Sequence, residues 1–338
     1  MQFSLNTSCV RELLSPVDGG RPFVVLDDLP AYTRESLGLH GINLTTDLLK
    51  GSTRARLEQF RERADKAACA CLTLIEPEAL PFGDEDENAA IGAIERTGRV
   101  LRAASVLGCN SAAISITSAD DDETFESVVD RMKEVAELAE RLDMNVLITP
   151  VDGLTGSPEK LTELIKRIGG FRIGTMPEFV RAVTDEDPEL YLRRLTPYAA
   201  MVTATTFEFE LIEEAPQPAA AQTEAEPEPA TATATDEDAA IEAEIEAELG
   251  KIGLPEGVDA GADDMPLGGF DKLMAMLDEP AETYAHKPYA LEPLVAAVLS
   301  VGYDGMLAIE YRGTDDVTLG ILRSVECLDA ALEAAAGK

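Results

Sequence analysis

Carboxylates and amides that close or follow short apolar runs are the residues of this chain best placed to do chemistry. Asn6 ends FSLN, Asp47 follows NLTT, Glu76 ends LTLIE, Asp152 follows LITPV, Glu178 follows IGTMP, Glu208 follows MVTATTF and Glu310 ends MLAIE. Side chains of this kind move protons and hold hard cations through oxygen. Each also has a plainer use, because a polar residue after a strand often caps the next helix or faces solvent. Nitrogen and sulfur chemistry has less to draw on. The two histidines, His40 and His286, stand far from the cysteines, and Cys69-Ala70-Cys71 has the wrong spacing for a zinc knuckle. Five cysteines are an odd number and several sit inside apolar runs, so buried, reduced thiols are expected rather than disulfides.

The elements that must position these residues follow from periodicity. Short apolar runs predict strands at 3–6, 41–45, 71–75, 112–116, 145–148, 172–175, 200–205 and 306–310, and helical patterns lie between them. Phe125, Val128, Val129, Met132, Val135 and Ala136 share one helix face, as do Leu161, Leu164, Ile165 and Ile168. Ser157 is the expected N-cap of the second helix, Pro158 its first residue and Gly169-Gly170 its stop. Eight βα units without a Gly-rich phosphate turn favour a closed barrel over an open doubly wound sheet, which gives a similar alternation. The absence of GxGxxG and GxxxxGK[ST] leaves nucleotides without a sequence handle.

One stretch interrupts the pattern. Residues 211–265 are rich in Ala, Glu, Pro and Thr and hold 16 acidic residues against the single base Lys251. So little apolar surface predicts disorder, with a transient helix near 238–249. The expected architecture is therefore a single α/β (β/α)8 TIM barrel formed by 1–210 and 266–338, with a disordered acidic insertion between strand 7 and the last helix. Without the insertion, 283 residues remain, near the roughly 250 typical of such a barrel.

Charge and hydropathy exclude other classes. Asp and Glu number 64 against 28 Lys and Arg, a net charge of −36, which argues against a sequence-independent grip on nucleic-acid phosphates. No apolar run reaches the roughly 18 residues needed to span a bilayer, and the opening residues lack a basic segment before an apolar core. A soluble, cytoplasmic protein is expected; nothing in the sequence specifies an oligomer.

FSLNTS at the start, 145–150, RIGTMPEF (172–179), LTPYAAMVTATTFEF (195–209) and above all LVAAVLSVGYDGMLAIEYRG (294–313) resemble the xylose-isomerase-like TIM barrels, the sugar phosphate isomerase and epimerase family. The resemblance implies a divalent metal (Mn, Mg, Co or Zn) at the C-terminal mouth. Its ligands would be a Glu after the fifth strand, an Asp after the sixth, a His on the seventh and a Glu on the eighth, with two carboxylates exchanging a proton with the carbon beside a carbonyl. Glu310 matches the eighth-strand ligand, and Glu178 keeps the sixth-strand carboxylate one methylene longer. Thr203 stands where the His belongs, Thr205 where a Lys follows it, and Thr149 where the fifth-strand Glu belongs, with Pro150 and Val151 replacing the next polar residues.

With two of four ligands replaced by hydroxyls, the implied metal is absent or weakly held. The catalytic and metal candidates are Glu310 and Glu178. Asn6, Glu76, Thr149, Asp152, Thr203 and Arg312 are candidates for binding a small carbohydrate, Arg312 either through a substrate phosphate or as an ion-pair partner of Glu310. Two functions follow as expectations: an isomerase or epimerase with a degenerate metal site, or a non-catalytic relative that binds a carbohydrate or a partner. The endonuclease branch of the superfamily needs more His and Asp ligands and a basic face, and is excluded.

Overall fold

The computed structural model describes residues 1–16, 21–212 and 283–337. All eight predicted strands form: β1 (Gln2–Asn6), β2 (Gly41–Thr45), β3 (Ala70–Ile75), β4 (Ser111–Ile114), β5 (Asn145–Ile148), β6 (Ile173–Thr175), β7 (Met201–Thr206) and, after a short ribbon of β8 (Phe209–Ile212) and β9 (Thr283–His286), β10 (Met306–Tyr311). Their ends differ from the periodicity reading by a residue or two. The fourth strand stops at Ile114, and Ile116 makes only an isolated bridge to Leu80.

The strands run parallel in the order β6-β5-β4-β3-β2-β1-β10-β7. Between β6 and β7 the ring closes through isolated bridges, Thr175 to Ala199 and Glu178 to Thr203, with the Thr203 N–H donating to the Pro177 carbonyl at 2.9 Å. The architecture is the expected TIM barrel.

Helices cover the outside. They are α1 (Leu29–Glu35), α2 (Arg54–Lys66), α3 (Glu87–Leu107), α4 (Asp122–Leu142), α5 (Pro158–Ile168), α6 (Phe179–Ala182), α7 (Pro188–Leu195), α8 (Leu291–Ser300) and α9 (Val317–Ala336). Helix α5 has the predicted punctuation, its Ser157 hydroxyl accepting from the Lys160 N–H and Gly169 ending it. The apolar face of α4 is buried as its spacing requires, with Val128, Val129, Met132 and Val135 fully covered. The helix after the expected insertion, α8, is followed by a further long helix, α9, which carries the chain back over β10. Among the described residues no helix is long and apolar enough to cross a membrane. Cys69, Cys71, Cys109 and Cys327 are buried and Cys9 is half-buried, all as free thiols.

The expected disordered insertion at 211–265, including its helix at 238–249, lies outside the described residues except for Leu211 and Ile212, which end β8. Residues Met1–Leu211 and Tyr284–Lys338 make one compact unit.

Because alternate side chains on a strand point to opposite faces, each barrel strand sends every second residue inward. The main apolar core, between strands and helices, takes Val202 and Ala204 from β7 and Leu307, Ile309 and Tyr311 from β10. A separate small cluster inside the barrel contains Ala113, Leu147, Met176, Met201 and Ala308. On β7 the inward series is therefore Met201, Thr203 and Thr205, and on β10 it is Met306, Ala308 and Glu310. Register pairs Thr203 with Ala308 and Thr205 with Glu310, so Thr203 lies one layer below Thr205 and Glu310.

Thr203 is fully buried, and its hydroxyl has no hydrogen-bond partner among the described residues. A buried unpaired hydroxyl is a penalty that an isosteric methyl removes. Thr203→Val is expected to raise the unfolding free energy by about 1 kcal/mol, read from urea denaturation.

Candidate functional site

The barrel strands end in polar residues, and these ends surround a cavity of about 840 Å³. Asn6, Thr45, Glu76, Thr149, Glu178 and Glu310 all contribute to its wall, together with Ser8 and Arg312 from the loops that follow β1 and β10.

Glu310 is the best-anchored of these groups. It is 4% exposed, and an ionised carboxylate in such a place requires donors. The Ser8 hydroxyl donates to Oε1 in a short hydrogen bond, the Arg312 guanidinium meets Oε2 at 2.7 Å, and the Thr205 hydroxyl makes a longer contact of 3.5 Å with Oε2. Local structure sets up these donors. The Asn6 side chain caps the turn after β1 by accepting the Ser8 N–H at 3.1 Å, which directs Ser8 to the mouth. The Arg312 N–H donates to the Thr206 carbonyl at 2.7 Å, so that residue continues the β10–β7 ladder past the last strand pair.

Glu178 faces the same cavity from the end of β6, its side chain about one-fifth exposed. It lies 4.0 Å from the Arg312 guanidinium, which therefore stands between the two carboxylates. Burial, and then the charge of Glu310, push the Glu178 carboxyl up to about 7, while Arg312 and Arg181 pull the other way. Burial disfavours the charged Arg312, but Glu310 and Glu178 more than offset it and hold the guanidinium charged.

The other candidates divide by geometry. Asn6 and Thr149 line the cavity, Asn6 as a cap and Thr149 with its N–H donating to the Ile114 carbonyl at 2.9 Å. Glu76 also lines it, but its carboxylate is taken by the Arg96 guanidinium at 2.6 Å and by the Thr46 hydroxyl at 3.1 Å. Asp152 and Thr203 are not among the residues that line this cavity. Asp152 projects outward, its side chain 92% exposed, and pairs with Arg181 at 2.6 Å; Thr203 is sealed in the layer beneath, which strand alternation dictates. Asp47 pairs with Arg11 at 3.1 Å and borders a neighbouring cavity of about 440 Å³. The Glu208 carbonyl accepts from the Lys287 N–H.

Neither histidine reaches the mouth. His40 is exposed, and its N–H bonds to the Phe3 carbonyl at the opposite ends of the strands. His286 accepts the Phe207 N–H on Nε2 at 2.9 Å, which leaves Nδ1 to donate to the Tyr289 carbonyl at 2.8 Å. Burial lowers its pKa, in keeping with this neutral form. His286 thus fastens the chain after β7, as does the Tyr289 hydroxyl donating to the Thr205 carbonyl.

Sequence reasoning missed Ser8 and assigned Thr205 no contact with Glu310. Ser8 lies two residues beyond Asn6 in the same FSLNTS segment, and a hydroxyl just after a capping Asn was the available signal. Arg96, in the middle of α3, offered none. Among the described residues no group of three or more His, Cys, Asp or Glu is arranged to hold a metal ion.

A family model described as xylose isomerase-like TIM barrel matches residues 33–208, more than half of the chain. No curated protein matches. Solved structures similar in fold include an L-ribulose 3-epimerase, with a TM-score of 0.64 at 12% identity over 99% of this chain and 96% of that one. An IolI protein with a bound zinc atom has a TM-score of 0.60 at 12% identity over 99% and 98% of the two chains. A xylose isomerase-like TIM barrel protein from Mycobacterium smegmatis in complex with magnesium has a TM-score of 0.58 at 13% identity over 99% and 97%.

The raised pKa of Glu178 makes stability depend on pH. Unfolded, the carboxyl titrates near its ordinary value of 4.5; folded, it holds its proton to about 7. Its contribution is fully present below pH 4.5 and is lost as pH rises through 7. Glu178→Gln has no such loss. The variant should match the wild type near pH 5 and exceed it at pH 8 by on the order of 2 kcal/mol, measured as denaturation midpoints across that range.

Proposed function

The chain belongs to the xylose isomerase-like TIM barrel family, and on that premise we propose that it is a sugar isomerase/epimerase-like barrel that binds a small, uncharged sugar at its C-terminal mouth without the family's metal-dependent turnover. The observation that carries this reading is the convergence of Glu310 and Glu178 on one cavity with a guanidinium between them. Carboxylates and a planar five-donor cation together match the alternating donors and acceptors of a polyol.

The donor set does not fit a resident divalent ion. Hard cations take six to eight oxygens, of which at least one or two are carboxylates free to ligate. Here Glu310, the carboxylate on the eighth-strand position, is already engaged by Ser8, Thr205 and Arg312, and the fifth- and seventh-strand positions carry only Thr149 and Thr203, the latter out of reach beneath the mouth. No chemical step is therefore routed through a metal.

Charge narrows the ligand. Arg11 and Arg312, which line the mouth, are paired with Asp47 and with Glu310, and Glu12, Glu178 and Asp315 add further carboxylates to the same wall. Among the described residues lining the mouth, both cations are already paired, and several carboxylates there would repel a phosphorylated sugar.

A second reading keeps catalysis. With Glu178 lifted to about 7 and lining the same cavity as Glu310, the pair supports general acid/base exchange of a proton beside a carbonyl at neutral pH.

Calorimetric titration with free ketohexoses and their phosphates tests the main proposal. A free ketose is expected to bind, its phosphate at least about tenfold more weakly, and Glu310→Gln to lower the affinity for the free sugar. Tighter binding of the phosphates, or no binding of any free ketose, overturns it. Incorporation of deuterium from heavy water into the bound sugar, abolished in Glu178→Gln, would establish the second reading instead.

A further inference from the structure

We infer that Arg312 is a built-in cation that has taken the place of a divalent ion at the mouth, so that a guanidinium supplies the positive charge a bound ligand meets. The inference rests on reading this mouth as the ligand site and extends it to what occupies the cation position.

The placement is specific. Arg312 follows Glu310 by two residues, and its N–H is held by the Thr206 carbonyl at 2.7 Å, which fixes the root of the side chain above the end of β7. From there the same Nη2 atom reaches Glu310 Oε2 at 2.7 Å and Glu178 Oε2 at 4.0 Å. These are the two carboxylates that the motif match assigns to cation binding. A metal placed between them would have to displace the guanidinium from Glu310 Oε2, the oxygen that faces Glu178 through Arg312.

The chemistry of the exchange is consistent. A guanidinium is charged at any accessible pH and presents five N–H donors in a plane, so it compensates a buried carboxylate without needing the further oxygen ligands a metal requires. The positions that would supply those ligands carry hydroxyls, Thr149 and Thr203, and a lone guanidinium needs nothing from them. The Arg312 side chain is 42% exposed, which leaves N–H groups free to meet a carbonyl or hydroxyl oxygen of a ligand.

The direct test is Mn²⁺ binding to the full-length chain without sugar, followed by the spin-resonance signal of free Mn²⁺. Because the acidic surface takes up cations nonspecifically, the quantity read is the component lost on Glu310→Gln. The wild type is expected to show no such component up to about 1 mM Mn²⁺. Arg312→Gln should expose the carboxylate pair and acquire a Glu310-dependent site at least about tenfold tighter than that bound, and Arg312→Lys, which keeps the charge, should stay near the wild type. A Glu310-dependent site in the wild type overturns the inference whether or not the variants fold. So does a folded Arg312→Gln that binds no more tightly than the wild type. Failure of sugar binding in the calorimetric test would leave this cation measurement intact, so the two proposals fail separately.

Discussion

A carboxylate buried at the end of a strand must be compensated where it stands, and at Glu310 that requirement ties together parts of the chain that are remote in sequence. Water no longer solvates the charge, so leaving it unpaired would be strongly destabilising. Its compensation comes from Ser8 after β1, Thr205 on β7 and Arg312 after β10, with Ser8 separated from Glu310 by 302 positions. These donors meet only because β10 lies between β1 and β7 in the sheet and pairs with each in a defined register. The alignment of three adjacent strands and the integrity of the mouth are therefore one physical problem.

Strand alternation governs the rest of the site. With a period of two, the inward residues of a barrel strand form layers, and a change of one position moves a side chain from the barrel interior to the helix-facing core. Met201 and Ala308 belong to the apolar interior, while Glu310 reaches the mouth with the buried Thr205 beside it. Thr203 falls between them. The closing contacts of the ring, from Thr203 to Pro177 and Glu178, then bring the end of β6 against β7 and turn Glu178 toward the cavity that Glu310 faces.

The large negative charge of the chain has limited reach at this site. Exposed charges beyond a Debye length of about 8 Å are largely screened at physiological ionic strength, whereas partly buried pairs are screened much less. A ligand in the mouth meets Arg312 between Glu310 and Glu178, with Glu76 already neutralised by Arg96, rather than the net charge of −36. The same local pairing separates carboxylates that matter to the cavity from those such as Asp152, which an arginine holds outward at the surface.

Eight strands, their helices and the placement of Glu310 and Glu178 at strand ends were legible in the sequence, because apolar periodicity and capping are local and survive in one dimension. The 195–209 and 294–313 segments also carried enough of a motif to identify the family's barrel. Which strand-end residues share a cavity was decided only in three dimensions. Thr203 and Thr205 are nearly indistinguishable as letters, yet one is sealed below the mouth and the other touches Glu310, since strand direction and register set their depth. Arg312 could be read as a phosphate binder or an ion-pair partner until the fold placed both carboxylates around its guanidinium. Arg96 had no pattern to mark it, and the hydroxyl after Asn6 marked Ser8 only as a residue of the turn, because a hydrogen bond across hundreds of residues or from the middle of a helix depends on the packed positions of whole elements, and sequence spacing does not encode that distance.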